Sequence, residues 1–201
     1  MFKELLRDFR NESSMDALKL STANQEGTWF GVLVDAQNRL VASSFSNKSN
    51  PSKRLRRIAR YITQDRPKLG ERRYADNMIQ LFNGRDIVES VHLNPQLATV
   101  FQRRVYRILR TIPKSRVTTY GMIATRIKSG PRAVGTAVAS NPWSIFVPCH
   151  RVVPSDLSVG NYSMNNHPDR EGSSMKRELL KREGVLFHED KILPESLWKP
   201  R

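Results

Sequence analysis

The sequence predicts two domains, an α/β domain over residues 1–94 and a mainly helical domain over residues 95–201. Three features lead to this division. Apolar segments in the first half alternate with turn-forming residues, which is typical of paired strands. Apolar residues in the second half recur at helical spacing. Between the halves lies Asn94-Pro95, a dipeptide that favours a turn.

Three strands are predicted in the first domain, over residues 16–21, 29–34 and 40–45, because apolar side chains dominate or alternate in each segment. Turn-forming residues separate them at Asn24–Gly27 and Asp35–Asn38. Short turns of this kind join antiparallel neighbours, so the sequence predicts an antiparallel meander.

Two helices are predicted after the third strand. The first begins near Pro51, and its apolar stripe at i, i+3, i+4 and i+7 consists of Leu55, Ile58, Ala59 and Ile62. The opposite face is basic and carries Lys53, Arg54, Arg56, Arg57 and Arg60. Such a face is compatible with a nuclear-import signal, a phosphate-binding surface or simple contact with solvent. The second helix is short and spans residues 74–82.

The second domain is predicted to begin with a helix over residues 97–112, which Pro113 ends. A closing helix over residues 173–183 is followed by Gly184 as a C-cap. The polar stretch at residues 165–174 is predicted to be a mobile surface loop. The C-terminal tail contains a short apolar strand signal.

A helix-turn-helix is predicted between these two helices. A short helix over residues 118–127, capped by a threonine, precedes a turn at 129–131 and a second helix over 132–140. Small residues form almost all of the second helix, which fits either tight packing inside the domain or a close approach to DNA. Arg132 at its N-terminal end favours DNA, because that end of a recognition helix meets the duplex first.

The composition indicates a soluble intracellular protein that binds a polyanion. The 201 residues include 34 Lys and Arg against 19 Asp and Glu, a formal charge of +15, although a basic surface can also serve solubility alone. A single cysteine excludes internal disulfides, and the four histidines are too far apart for a standard zinc motif, so no metal is predicted. We expect no membrane span and no signal peptide. The expected location is the cytoplasm of a prokaryote or the nucleus of a eukaryote.

The only cysteine, Cys149, lies in the most informative stretch of the chain. A strand-like apolar run ends at Pro148, and His150 and Arg151 follow the thiol directly. Cationic and histidine neighbours lower the pKa of a thiol and so favour the reactive thiolate. The stretch therefore predicts a nucleophile on a rigid ledge, although a lone cysteine is more often a small buried hydrophobe.

The motifs between residues 97 and 184 resemble those of the O6-alkylguanine-DNA alkyltransferases, also called methylated-DNA–protein-cysteine methyltransferases. The matching segments are Arg132-Ala-Val-Gly, Asn141-Pro142, Pro148-Cys-His-Arg-Val-Val153, Val159-Gly-Asn-Tyr-Ser163, and Lys176 with Glu183-Gly184. The N-terminal half matches only in coarse architecture. The resemblance implies a ribonuclease-H-like α/β domain followed by a helical, winged-helix-like domain that binds DNA and carries the chemistry.

The resemblance also implies the catalytic roles. Cys149 would accept the alkyl group, His150 would act as the base through a bound water, and Glu183 would orient His150. Asn141 would form the hinge between the recognition helix and the active-site strand. Tyr120 would push on the target phosphate and help to protonate the departing guanine.

DNA contacts and a substrate pocket are implied in the same way. The DNA-binding residues would be Arg132, Tyr120, Gln102, Ser155 and Arg151, of which Arg132 would fill the gap left by the flipped base. The pocket would be lined by Tyr162, Ser163, Met164, Val152 and Lys176. The chain departs from the family at Ser144, where a proline is usual, and at Met164, where glycines are usual. The bulky methionine and a longer loop after it could narrow the pocket, whereas methyl transfer should be retained.

The predicted function is repair of double-stranded DNA by a monomer that needs no cofactor. The O6-methyl group lies inside the stacked duplex, so the nucleotide must rotate out before the alkyl group can move to Cys149. O4-methylthymine is expected as a second substrate. Because a thioether has no easy leaving chemistry, each molecule should act once. The alternatives are a non-catalytic protein that flags alkyl damage and a transcription regulator, but a helix of small residues lacks the side chains that read base edges.

Overall fold

The computed structural model describes residues 18–85, 87, 91–162 and 170–200, with the side chains of 170–172 left out. The chain divides into two compact units. Among the described residues, unit 1 takes those within 18–81, 85–99 and 142–146, and unit 2 takes 82–84, 100–141 and those within 147–200. The division into domains 1–94 and 95–201 stays a prediction. No helix in the described ranges combines the length and apolar character needed to cross a membrane.

Unit 1 is built on a four-stranded sheet with the strand order β3-β2-β1-β4. Its strands are β1 (Lys19–Gln25), β2 (Thr28–Val34), β3 (Leu40–Ser46) and β4 (Lys68–Leu69). The first three form the predicted antiparallel meander, and β4 adds to β1 in parallel. The first turn is tighter than predicted, because Asn24 belongs to β1 and the reversal occurs at Glu26-Gly27, both with positive φ. Residues 16 and 17 of the predicted first strand lie outside the described residues.

Two helices, α1 (Ser52–Thr63) and α2 (Arg72–Phe82), follow the meander as predicted. Helix α1 buries Leu55, Ala59 and Ile62, three members of the expected apolar stripe. It lies so close to β2 that a Cβ atom added at Gly31 would come within 2.6 Å of Leu55 Cδ1. A larger residue at position 31 would force Leu55 or Pro51, whose Cγ would lie 2.8 Å from the added Cβ, to move.

The segment 142–146 belongs to unit 1 and lies beside β3. Ser43 N donates to Pro142 O at 2.9 Å, and Ser43 Oγ donates to Ser144 O at 2.8 Å. Trp143, which is fully buried, donates its indole N–H to Leu40 O at 2.9 Å. The predicted strand ending at Pro148 is wrong, because Ile145 has a φ of +74° and the chain turns there.

A buried carboxylate orders the turn after β2. Asp35 is 2% exposed and accepts hydrogen bonds from Arg39 N at 2.8 Å, Arg39 Nε at 2.8 Å and Asn94 Nδ2 at 2.9 Å. We expect Asp35→Ala to lower the free energy of unfolding by about 3 kcal/mol, because the buried amide of Asn94 and the half-exposed donors of Arg39 lose their acceptor. Urea unfolding measures this loss. The exposed Asp65→Ala is the control, and equal values for both variants would show that the buried network contributes nothing.

Unit 2 contains four helices and two small pairs of strands among its described residues. The helices are α3 (Val100–Leu109), α4 (Tyr120–Arg126), α5 (Pro131–Ala139) and α6 (Arg170–Arg182). The strands are β5 (Thr118–Thr119), β6 (Val152–Val153), β7 (Phe187–His188) and β8 (Lys191–Ile192). Helix α3 is shorter than the predicted 97–112, since residues 95–97 form a separate 3-10 turn whose backbone Asn94 caps.

The end of the chain packs against α6. One buried cluster joins the residue before β5, strand β6, helix α6 and the β7–β8 hairpin; its members are Val117, Val153, Leu180, Val185 and Ile192. The hairpin accounts for the strand signal in the tail. Part of the predicted loop 165–174 is helical instead, because α6 begins at Arg170; residues 165–169 lie outside the described residues.

Candidate active site

Cys149 is the first residue of a 3-10 turn that joins Pro148 to strand β6. Arg151 N donates to Pro148 O at 3.0 Å, which closes the turn, and β6 then pairs with β5 in parallel. The thiol is 7% exposed, so it is buried rather than displayed on a ledge. The backbone around Cys149 is held by a closed turn and a short strand pair rather than by a preceding strand.

Polar side chains surround the buried thiol. Sγ lies 3.9 Å from the Tyr162 hydroxyl. Burial is the largest influence and holds the pKa of Cys149 above its ordinary value, whereas hydrogen bonds from Asn141 and Tyr162 and the charge of Lys176 lower it in part. A thiol of a purely structural cysteine lies among apolar groups, and a reactive one lies in an electropositive, hydrogen-bonding environment. The polar partners of Cys149 match the second description, although burial keeps its pKa above the ordinary value.

The two residues that follow the thiol in the sequence, His150 and Arg151, both contact the buried carboxylate of Glu183. Glu183 Oε1 is 2.9 Å from His150 Nε2. Arg151 donates two hydrogen bonds of 2.7 Å to the same carboxylate, from Nε to Oε2 and from Nη2 to Oε1. Burial alone would raise the pKa of Glu183, but the charges and hydrogen bonds of His150 and Arg151 lower it to about 2. The carboxylate is therefore ionised at neutral pH.

The ionised carboxylate determines the protonation of His150. A carboxylate only accepts hydrogen bonds, so Nε2 of His150 must carry the proton that it donates to Glu183. Burial lowers the pKa of His150, and the neighbouring Glu183 offsets this only in part. The imidazole is then neutral with its free lone pair on Nδ1. Within the described part of the chain, Nδ1 is buried and has no hydrogen-bond partner.

Lys176 brings a buried cation to the same region. The residue is 1% exposed, and Nζ donates to the Val152 carbonyl at 2.8 Å. Burial lowers its pKa to about 8, against the opposing influence of Cys149. At neutral pH the ammonium is still mostly charged, and its field favours a thiolate at Cys149.

Asn141 lies at the junction between helix α5 and the active-site turn. Its backbone N–H donates to Val138 O at 3.3 Å, and its Nδ2 donates to Val147 O at 2.9 Å. One side chain thus joins the end of α5 to the residue two positions before Cys149. This geometry is what a hinge residue needs.

Helices α4 and α5 form the predicted helix-turn-helix. The Thr119 hydroxyl accepts from Met122 N and caps α4, and Pro131 occupies the first turn of α5. Arg132 is exposed in that first turn. Burial, and then the charge of Cys149, raise the pKa of Tyr120 to about 12. The phenol therefore keeps its proton at neutral pH.

The remaining predicted residues are placed as follows. Gln102 is buried on α3, Ser155 is exposed after β6, and Val152 is buried in β6. Ser163 and Met164 lie outside the described residues. Arg151 directs all of its guanidinium nitrogens inward, with Nη1 donating to Ile112 O at 2.6 Å in addition to its bonds to Glu183. Through these bonds Arg151 holds the Glu183 carboxylate in place, a structural role that the sequence does not predict.

Tyr106 was missed by sequence reasoning. Its hydroxyl is buried and donates to the Ala137 carbonyl at 2.9 Å, which ties α3 to α5. Burial, and then the charge of Cys149, raise its pKa. The available signal was its place beside Val105 and three residues before Leu109 on the buried face of α3. No group of three or more His, Cys, Asp or Glu that could hold a metal occurs in the described ranges.

Comparison with known proteins places this site in a family. The family model "6-O-methylguanine DNA methyltransferase, DNA binding domain" matches residues 100–185. A methylated-DNA–protein-cysteine methyltransferase of Archaeoglobus fulgidus is 36% identical over 113 residues, which cover 56% of this chain and 75% of that protein. The protein of the same name from Thermococcus sibiricus is 42% identical over 95 residues, 47% of this chain and 50% of the relative. The chain thus spans about half the length of this second relative.

The fold agrees with a solved structure. The crystal structure of O6-methylguanine-DNA methyltransferase from the archaeon Pyrococcus kodakaraensis matches with a TM-score of 0.64 and 28% sequence identity. The match covers 84% of this chain and 99% of the other. The similarity therefore extends over both the sheet-containing and the helical parts.

Proposed function

The chain belongs to the methylated-DNA–protein-cysteine methyltransferase family, and on that premise we propose that it repairs DNA by moving an alkyl group from O6-alkylguanine to Cys149. One observation carries the proposal. A buried thiol is held among the hydrogen-bonding groups of Asn141 and Tyr162, the cation of Lys176 and an adjacent His150–Glu183 pair. This set contains a nucleophile, a base and a group that orients the base.

The first step is formation of the thiolate. The lone pair on His150 Nδ1 takes the thiol proton through a bound water, and Glu183 stabilises the resulting imidazolium through Nε2. Asn141, Tyr162 and Lys176 stabilise the negative sulfur. Burial keeps the thiol protonated in the resting protein, so ionisation is coupled to the arrival of the substrate.

The second step is displacement at the alkyl carbon. The sulfur lone pair forms the new S–C bond while the C–O6 bond breaks and its electrons remain on the guanine. The guanine would leave as an anion, so protonation lowers the barrier, and Tyr120 is a proton donor because its phenol is not ionised at neutral pH. The product is a thioether at Cys149, which no group of the site can reverse. Each molecule therefore acts once.

DNA would be held by the helix-turn-helix. The small residues of α5 allow a close approach to the duplex, and exposed Arg132 would enter the stack and replace the rotated nucleotide. Gln102 and Ser155 are further proposed contacts. For Arg151 we propose a positioning role through Glu183 in addition to the proposed DNA contact.

Several finer features are proposed on the family resemblance. These are a ribonuclease-H-like topology for the N-terminal part, a winged-helix-like topology for the C-terminal part and a monomeric state in the cytoplasm or nucleus. Tyr162, Val152 and Lys176, together with Ser163 and Met164, would line the alkyl pocket. O4-methylthymine is proposed as a second substrate, and neither a metal nor another cofactor is required.

The experiment that tests the function weighs the peptide containing Cys149. We expect incubation with a duplex carrying one O6-methylguanine to add the mass of one methylene, saturating at one per protein, because sulfur keeps the methyl group. Cys149→Ala should show no gain and still bind the duplex. Tight binding to the lesion without any mass gain in the unaltered protein would instead indicate a protein that only flags damage.

A further inference from the structure

We propose that helix α1 carries a second surface for DNA phosphates, separate from the helix-turn-helix. Four exposed cations occupy positions i, i+3, i+4 and i+7 of this helix: Lys53, Arg56, Arg57 and Arg60. This basic stripe extends for about 10 Å along the helix, the axial length of about three base pairs. The inference rests on the proposed function only in its choice of DNA as the polyanion.

The local electrostatics of the basic stripe are unfavourable without a ligand. Lys53 and Arg57, and likewise Arg56 and Arg60, are like charges at i and i+4, which repel each other. The first turn of α1 contains no acidic residue, and Lys53 in that turn faces the positive end of the helix dipole. Burial, and then the charge of Arg57, lower the pKa of the neighbouring Arg54. An anion bound along the stripe would relieve all of these repulsions.

The next helix shows that pairing is available to arginines in this unit. Arg72 Nε lies 3.3 Å from Asp76 Oδ1, and Arg73 Nε lies 2.9 Å from Glu71 Oε2. Among the residues that the structure describes, no carboxylate pairs with any member of the basic stripe. The uncompensated charge of the basic stripe is therefore not shared by every basic side chain of the unit.

The buried face of α1 identifies the kind of polyanion. A helix that binds an anionic membrane inserts its apolar face among the lipids. In α1 that face consists of Leu55, Ala59 and Ile62, all of which are buried in unit 1. Tyr61 is the one large hydrophobic side chain that α1 exposes, and the other exposed residues of the helix are cations, so α1 offers a mainly charged side. A straight row of cations suits the regularly spaced phosphates of a duplex, which are contacted without reading sequence.

The test compares two double variants of the full chain. The first, Arg56→Gln with Arg60→Gln, removes half of the basic stripe. The matched control, Arg72→Gln with Arg73→Gln, removes two exposed but paired arginines from α2. Fluorescence anisotropy measures binding to an undamaged duplex of about 30 base pairs, roughly three turns, between about 50 and 200 mM salt. The rate of methyl transfer to Cys149 at saturating lesion duplex is measured in parallel.

We expect the first variant to reduce the slope of log affinity against log salt by about 2, since each lost phosphate contact contributes about 0.9. The control should keep the original slope, and both variants should transfer methyl at the original rate when DNA is saturating. An unchanged slope in the first variant, or an equal fall in the control, would overturn the proposal. Binding to phosphatidylserine–phosphatidylcholine vesicles is measured as well. The proposal would also be overturned if the first variant lost binding to these vesicles while its DNA binding stayed intact. A fall in slope without any methyl transfer in the unaltered protein would refute the proposed function and leave this surface standing.

Discussion

Replacing Glu183 with glutamine is expected to slow methyl transfer by about 10²- to 10⁴-fold, the usual contribution of a positioned base. Glutamine fills nearly the same volume but presents an N–H as well as a carbonyl. It can therefore donate to Nε2 of His150 and move the imidazole proton to Nδ1, the atom that must accept the thiol proton. The loss also withdraws the negative charge that stabilises the imidazolium.

The same variant should be less stable by about 3 kcal/mol, because Arg151 would remain buried beside a neutral partner. The pH dependence of the free energy of unfolding gives a second value for this loss of stability. Glu183 has a pKa of about 2 in the folded protein, against its ordinary value of 4.5. Between these values the unfolded chain binds more protons, so this stabilisation is complete above pH 4.5 and is lost as pH falls through about 2. A difference of this size corresponds to about 3 kcal/mol.

Quenched time courses of methyl transfer to Cys149 measure the loss of rate. Urea unfolding at several pH values measures the loss of stability. Glu178→Gln is the matched control, since Glu178 lies on the same helix and forms an exposed ion pair with Arg182. It should change neither quantity. If Glu183→Gln transferred methyl at the original rate, the His150–Glu183 pair would have no part in making the thiolate.

Much of this site was predictable from the sequence because its parts are local. The helices of the helix-turn-helix follow from their apolar spacing, from Thr119 as a cap and from Pro131 in the first turn of α5. The adjacent Cys149 and His150 are recognisable as chemical groups wherever the chain carries them. Such signals depend on neighbours within a few residues, which the sequence displays directly.

The burial and partners of these groups were not predictable, because they depend on contacts far apart in the chain. Arg151 follows His150 and looks like a free cation for DNA, yet its guanidinium bonds to Glu183, which lies 32 residues away. No residue near Cys149 signals that Ile145 has a positive φ, so the apolar run before Pro148 predicts a strand where the chain turns. The role of the Tyr106 hydroxyl likewise depends on a hydrogen bond to Ala137 on another helix, 31 residues away in the chain.

Replacing Lys176 with methionine is expected to make the protein more stable and less active. Methionine has nearly the same length but no charge, and a buried cation replaced by an apolar group of similar volume often stabilises a fold. Activity should fall by about 10- to 100-fold, because an opposite charge near an acid shifts its pKa by roughly one to three units and Cys149 would lose that help. Stability and activity moving in opposite directions would distinguish this effect from simple damage to the fold.

The pH dependence of the free energy of unfolding shows whether the buried charge of Lys176 stabilises or destabilises the fold. The pKa of Lys176 is about 8 in the folded protein, against its ordinary value of 10.5. Between these values the unfolded chain binds more protons, so burial of the charge destabilises the protein fully below pH 8 and less as pH rises to 10.5. The free energy of unfolding of Lys176→Met should exceed that of the unaltered protein by roughly 1–3 kcal/mol at neutral pH, with the gain shrinking at alkaline pH.

The control variant is Lys181→Met, which replaces an exposed lysine on the same helix and should change neither stability nor methyl transfer. A Lys176→Met protein that is less stable at neutral pH would mean that the bond to the Val152 carbonyl outweighs the cost of burying the charge, and Lys176 would then be a structural residue first.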